Sequence, residues 1–499
     1  MFEDHQPNYT EFVSAWKETR ATQNNESQTE ALLTATEETQ VPEKSEVEIQ
    51  TDENKDEKHF NIDNMSNPEL ISGVLQFLNK VTDVMCAQLE KNSRSHAFDR
   101  YTLRSDLEYG NTDLKHTLVY EPLLKDSEFQ CSDLSWNSTG TLLAVGYSSV
   151  LHDDWCTHDS AVCLWNLHRR DFNSRKPNTV IETDCCLTCL SFHSNLAPVL
   201  AGGKFSGEIV LWNTGREDDM TLATTGAVTD SHHEAITSLH WIPTHQDQFS
   251  FISTSLDGKI LFWKINDRNQ SLEIKDGFIL LADHLPRNLG IKSTRPDSEV
   301  GITSMSLNSE DPSICLIATE GGGVIQGSFN SQSVAGYGAS SFTLKNPVVM
   351  SFTPHRGYIG SIQCSPHTRN LFLTCGSDGE LRIYSLLQSK PVLTIQSPVG
   401  FQKSWWSVVR PLVISTVTAN GELQIYDLQA SCSAPVSSLS FSQNSCSGTA
   451  LQFNPQSFEL LASGTSDGKA QVWQLGNQLV ASGVQEVEKL NDIAKTTND

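Results

Sequence analysis

Seven times along this 499-residue chain a turn residue is followed, six positions later, by a strand-ending aromatic or the residue standing in its place. That fixed interval constrains the fold more than any other feature. The pairs are Asp159/Trp165, Ser206/Trp212, Asp257/Trp263, Gly321/Gly327, Asp378/Tyr384, Asn420/Tyr426 and Asp467/Trp473. Glycine follows the turn residue in six of them, as a tight hairpin demanding positive φ requires. Position +3 is apolar in every copy, and position +5 in all but the fourth, where Gln326 stands. Residues two apart share one face of a strand, so each copy carries a strand with one buried face. Upstream of each turn lies a second apolar segment, as at 252–255 or 371–375, and before it a third, as at 236–241 or 359–364.

Each copy therefore predicts several short antiparallel strands, and the recurrence predicts an all-β protein, a β-propeller of seven blades lengthened by loop insertions. Such a ring needs a closing strand. Residues 115–120 are the preferred candidate and 478–482 the second. The blade endings resemble those of the WD-repeat family, although the final Asp survives only in Tyr426-Asp427. The resemblance implies a buried hydrogen-bonded chain of loop His, strand Ser, turn Asp and closing Trp or Tyr. Blade three supplies all four as His233, Ser253, Asp257 and Trp263. Asp378 with Tyr384 and Asp467 with Trp473 are the corresponding turn and closing residues of blades five and seven. Blade four departs most, with glycine at 321–323 and at 327, and is expected to be the softest.

A formal charge of −25 argues against a nucleic-acid-binding surface, which needs a clustered basic face. No signal-peptide pattern and no apolar run near ~20 residues occurs, so the expectation is a cytosolic protein without membrane insertion. The twelve cysteines fall mostly in strand-like segments, where free thiols behave as small hydrophobes.

Residues 1–65 are different material: they carry sixteen acidic and five basic side chains and cannot build a core. They read as a disordered acidic tail that holds short docking peptides, among them Thr39-Gln40-Val41 and Ile49-Gln50-Thr51. An extended segment of this kind adds a strand to a partner's sheet edge. From 66 to 92 the texture changes to an amphipathic helix. Ser66 and Glu69 have capping-box spacing, and Leu70, Val74, Leu75, Leu78, Val81, Met85 and Leu89 lie on one broad apolar face. A face that wide is expected to be covered by a partner or by the blades. A polar linker over 93–111 precedes the propeller, placed at 112–483, and 484–499 is a polar tail with room for a short helix.

No catalytic set emerges: no phosphate-cradling glycine loop opens a helix, and no nucleophile sits with a base. No enzyme activity and no cofactor are expected. One ligand-like cluster, His152, Asp153, Asp154, Cys156 and His158, lacks the paired spacings of zinc modules and reads as a solvated loop. The Cys185-Cys186-Leu187-Thr188-Cys189 run continues as a strand and reads as core packing.

Acidic tail, single amphipathic helix and propeller together resemble the dynein intermediate chains, and within them the WD-repeat intermediate chains of cytoplasmic dynein 2. The carriers are KNSRSHAFD at 91–99, SWNSTG at 135–140, WNLHRRD at 165–171 and CSPHTRNLFL at 364–373. The resemblance implies a subunit of the motor for retrograde intraflagellar transport, at the cilium and its base. It implies heavy-chain binding by the propeller, with His233, Arg356 and Lys403 as candidates on one rim. It also implies a second WD-repeat intermediate chain and light chains of the hub, roadblock and Tctex types. The hub chain would take Gln40 and Gln50 with their flanking residues, and a roadblock-type chain the helix. The rival reading is a scaffold or substrate receptor of a ubiquitin ligase.

Overall fold

The computed structural model describes residues 68–94 and, between 112 and 495, all residues but 125–128, 150–151, 153–155, 227–229, 243–249, 267–269, 291–294, 296–297, 339–341, 442–445, 482 and 484. Two compact units divide at Leu103 and Arg104. In the first, a helix runs from Pro68 to Arg94.

The second unit is a seven-bladed β-propeller. Six blades take their four strands wholly from consecutive chain, the first being Phe129–Trp136, Leu142–Ser149, Ser160–Asn166 and Thr179–Thr183. The seventh borrows. Its three strands Gly448–Phe453, Leu460–Thr465 and Ala470–Gln474 are completed by Asp113–Leu118, whose Leu118 faces Ala470 and is fully buried. The ring is thus closed by the chain's N-terminal side, while Asn477–Val480, overlapping the second closing candidate, is a short helix.

Second strands are buried along their whole length: Val199–Lys204, Phe251–Ser255, Leu371–Gly376, Val413–Thr418 and Leu460–Thr465. A blade is covered on both faces by its neighbours, so these strands read as continuous apolar and small residues. Outer strands alternate, as in Pro391–Gln396, where only Ile395 is fully buried. Every innermost strand carries a register shift near its start, for example at Ile236/Ser238, Ile359/Ser361 and Phe401/Lys403. Bulges of this kind bend a strand and increase its twist, here where seven strands converge on the axis.

The turn glycines have a second role besides positive φ. Gly207 has φ 84°, and a Cβ there would lie 2.5 Å from the carbonyl oxygen of His232, in the segment leading into the next blade. Gly379 has φ 77° and meets the Ser397 carbonyl in the same way at 2.4 Å. The turn of one blade is therefore pressed on the lead-in of the following one, with no room for a side chain.

Blade four has glycine where its neighbours have an aromatic, and a Cβ on Gly327 would meet Cys315 Sγ at 2.7 Å. Between its third and fourth strands it inserts the hairpin Val334–Tyr337 and Thr343–Lys345. That hairpin reaches back to the outer strand of blade three, pairing Lys345 with Phe278, and Lys345 Nζ bonds Asp276 at 2.7 Å. The last helix, Glu486–Lys495, buries Leu490 in the core of blades five and six. Glu486 holds Arg410 at 2.7 Å, and Arg410 reaches Asp427 at 3.0 Å. The stretch read as a polar tail thus carries a buried apolar anchor and one partner of a buried ion pair.

Candidate interaction surfaces

The turns and lead-in segments form one rim of the ring, organised by buried histidines. In blade three Trp263 Nε1 donates to Ser253 Oγ at 2.7 Å, Ser253 Oγ contacts His232 Nε2 at 2.7 Å, and His232 Nδ1 meets both Asp257 oxygens at 3.1 and 3.2 Å. The expected chain of four is present, but its histidine is His232, not His233. Adjacent histidines at 232 and 233 gave the sequence no means of deciding which points inward. His233 is exposed and contributes only its backbone N–H, which donates to Asp257 Oδ2 at 3.2 Å. Burial alone would raise the Asp257 carboxyl; His232 and Lys259 outweigh it and bring it down to about 2.

Blade five repeats the scheme around the expected Asp378, with His355 and Thr374 as members the sequence reading did not single out. His355 Nδ1 meets Asp378 at 3.0 Å and His355 Nε2 meets Thr374 Oγ1 at 2.8 Å. The Tyr384 hydroxyl donates elsewhere, to the Thr353 carbonyl at 2.7 Å, and accepts from Arg382 at 2.9 Å. Burial first, then the Arg382 charge, hold the His355 imidazole below its ordinary pKa. In blade seven Trp473 Nε1 donates to Ser463 at 2.9 Å, and Asp467 accepts from Thr465 and from Lys469.

His233 and Arg356 occupy one structural position. Each follows a buried histidine, each is exposed, and the backbone N–H of each bonds the turn aspartate of its blade. Lys403 does not join them. It stands at the bulge of the innermost strand of blade six and lines the axial channel, a cavity of about 500 Å³. Asp133, at the corresponding bulge of blade one, lines the same cavity. Desolvation raises the Asp133 carboxyl, and the Lys403 charge and two backbone N–H donors oppose this. The expected rim of His233, Arg356 and Lys403 is corrected to His233 and Arg356. The strand alternation that places Lys403 inward is set by the bulge, which sequence pattern does not reveal.

On the Pro68–Arg94 helix the apolar face is open to solvent: Leu75, Leu78, Met85 and Leu89 are 50–65% exposed, and Val81 is partly buried. Phe77 and Val84, also exposed, extend that band and were missed, although their spacing from Val81 is helical. The side chains of Leu70 and Val74 lie outside the described residues, as do Thr39, Gln40, Val41, Ile49, Gln50 and Thr51. No described helix is long and apolar enough to cross a membrane.

The loop before the blade-one turn is not merely solvated. His152, Cys156 and His158 meet Cys186 from the segment leading into blade two, with one ligand-capable atom of each within 4.8 Å of the others. Cys186 N–H donates to Cys156 Sγ at 3.3 Å, and Ser149 N–H donates to Cys186 Sγ at 3.2 Å. Burial would raise the Cys156 thiol, yet hydrogen bonds from Cys186 and His158 bring it down to about 6. Asp153 and Asp154 lie outside the described residues. The fourth member comes from the cysteine run read as core packing, 28 positions after His158, beyond any local spacing rule.

The WD domain, G-beta repeat family matches residues 346–385 and 422–474, from the outer strand of blade four into blade five and from blade six into blade seven. Cytoplasmic dynein 2 intermediate chain 2 of Mus musculus is 37% identical over 422 residues, covering 84% of this chain and 78% of that protein. Its Homo sapiens counterpart is 36% identical over 427 residues, with the same coverage. The Drosophila melanogaster cytoplasmic dynein 1 intermediate chain is 24% identical over 317 residues, 62% of this chain and 43% of its own length. Among solved structures a chain of the COPII outer coat vertex on membranes superposes with a TM-score of 0.52 at 15% identity, over 69% of this chain and 84% of that one, a likeness of fold alone.

Proposed function

Since the chain belongs to the dynein intermediate chains, with relatives named for cytoplasmic dynein 2, we propose that it is a non-catalytic scaffold of that motor in retrograde intraflagellar transport. The observation that carries the reading is the identity of 37% sustained over 84% of the chain. The propeller binds the heavy-chain tail, and the rim bearing His233 and Arg356 is the surface proposed for it. Both side chains project from lead-in segments whose backbone N–H groups are held by the turn aspartates Asp257 and Asp378.

The Pro68–Arg94 helix is proposed as the station of a roadblock-type light chain. Covering Leu75, Phe77, Leu78, Val84, Met85 and Leu89 would contribute ~1.5 to 3 kcal/mol for each side chain fully buried. An isolated helix of this kind is marginal in water, so a partner's packing supports it. Gln40 and Gln50, with their flanking residues, are proposed for the hub light chain, through strand addition. A second WD-repeat intermediate chain stands beside this one, and a Tctex-type light chain joins the same N-terminal region. The place of action is the cytoplasm and the cilium.

Affinity capture of the full chain from ciliated cells, read by mass spectrometry, tests the reading. A dynein heavy chain recovered in proportion to the bait is the expected result. Recovery of a cullin in place of the heavy chain would support the ubiquitin-ligase reading instead.

A further inference from the structure

Six of the seven blades press a turn glycine onto or beside the next blade's lead-in; blade one has Ser160 after its turn residue and cannot. At that joint stand His152, Cys156 and His158 of blade one, facing Cys186 of blade two. His152 also stacks on Phe205, in the blade-two turn, with ring centroids 4.2 Å apart. The His/Cys cluster therefore occupies the contact made elsewhere by glycine and a carbonyl oxygen.

We propose that His152, Cys156, His158 and Cys186 bind one zinc ion that staples blade one to blade two. Two imidazoles and two thiolates are a borderline-soft tetrahedral donor set, the chemistry of structural zinc, and four protein ligands leave no open position for catalysis. In a tetrahedral zinc site the ligand atoms lie roughly 3.4 to 3.8 Å apart. Cys156 Sγ and His158 Nδ1 already stand at 3.8 Å, and the whole set within 4.8 Å needs only a small contraction.

Two further observations point to a ligand. His152 Nε2 is buried without any hydrogen-bond partner among the described residues, and a buried ring nitrogen left so is costly unless something binds it. Both sulfurs accept backbone N–H bonds, from Cys186 and Ser149, the outer-shell support that fixes and stabilises metal-bound thiolates. His152, Cys156 and His158 come from one short loop, whereas Cys186 stands 28 positions after His158, so the two blades must be joined before the four ligands meet. Zinc would therefore bind the folded ring and stabilise it by linkage.

The test is metal content of the full chain, purified under reducing conditions, loaded with one equivalent of zinc and dialysed against zinc-free buffer. The expected result is about one zinc per chain, falling at least tenfold in Cys156→Ser and His158→Ala and unchanged in Cys432→Ser, an exposed cysteine elsewhere. Cobalt(II) in place of zinc should give the visible bands of a tetrahedral complex and a thiolate charge-transfer band on the unaltered chain, so the outcome does not depend on any variant folding. Chelator should lower the unfolding temperature of the unaltered chain and leave Cys156→Ser unmoved. A folded chain that retains no zinc, one whose zinc content survives Cys156→Ser with His158→Ala, or a Cys156–Cys186 disulfide persisting under reductant would overturn the proposal.

Discussion

His232 and His233 differ by one position, and that difference decides which of them supports the blade. His232 bridges Asp257 and Ser253 in the interior, whereas His233 offers solvent its side chain and the blade only its backbone. His232→Ala strands a buried carboxylate and should cost roughly 3 to 5 kcal/mol in a denaturant titration of the full chain. His233→Ala should stay within ~0.5 kcal/mol. Equal losses in both would contradict the assignment. Asp257 gives the pH dependence. Its folded pKa lies near 2, below its ordinary 3.8, so its contribution is complete above 3.8 and is lost as pH falls through about 2. The shift corresponds to about 2 kcal/mol. The stability gap between the parent and Asp257→Asn should hold from pH 7 to 5 and narrow below pH 4; a gap that does not change with acid would exclude this origin.

At the scale of elements, closure and the last helix are the tests. Deleting residues 112–122 removes the strand that pairs with Ala470–Gln474 and the buried Leu118, and should abolish soluble propeller. Full thermal stability after that deletion would sink the closure. Leu490→Ala should cost ~2 to 5 kcal/mol by leaving a cavity between blades five and six, read as a lowered unfolding temperature; no change would mean the helix is not docked. The blades were legible because a six-residue interval from turn to aromatic is local. The blade-four hairpin, with its reach to Phe278, was not, since nothing in Val334–Lys345 names its partner strand. Glu486–Lys495 is the short helix the tail had room for, but its docking was missed for a related reason: it rests chiefly on one leucine and one glutamate, too few to show in a composition that is polar overall. The inward turn of Lys403 and the meeting of Cys186 with the 152–158 loop likewise depend on neighbouring blades.

For the whole molecule, a closed ring with rigid rims and a separate apolar helix describes a scaffold with two stations. The strong negative charge, −25 overall, argues against a nucleic-acid-binding surface. The two stations should be separable, because the helix belongs to one compact unit and the blades to the other. Leu78→Asp with Val81→Asp would place unpaired charge in the proposed light-chain contact, at positions outside the propeller sequence. The most direct measurement is quantitative co-purification of the full chain and this double variant from ciliated cells, with heavy chain and roadblock-type light chain read in the same eluate. The variant should lose the light chain at least tenfold and keep the heavy chain at the level of the parent. Retention of the light chain, or absence of dynein heavy chain from the parent eluate, would contradict a scaffold with two stations.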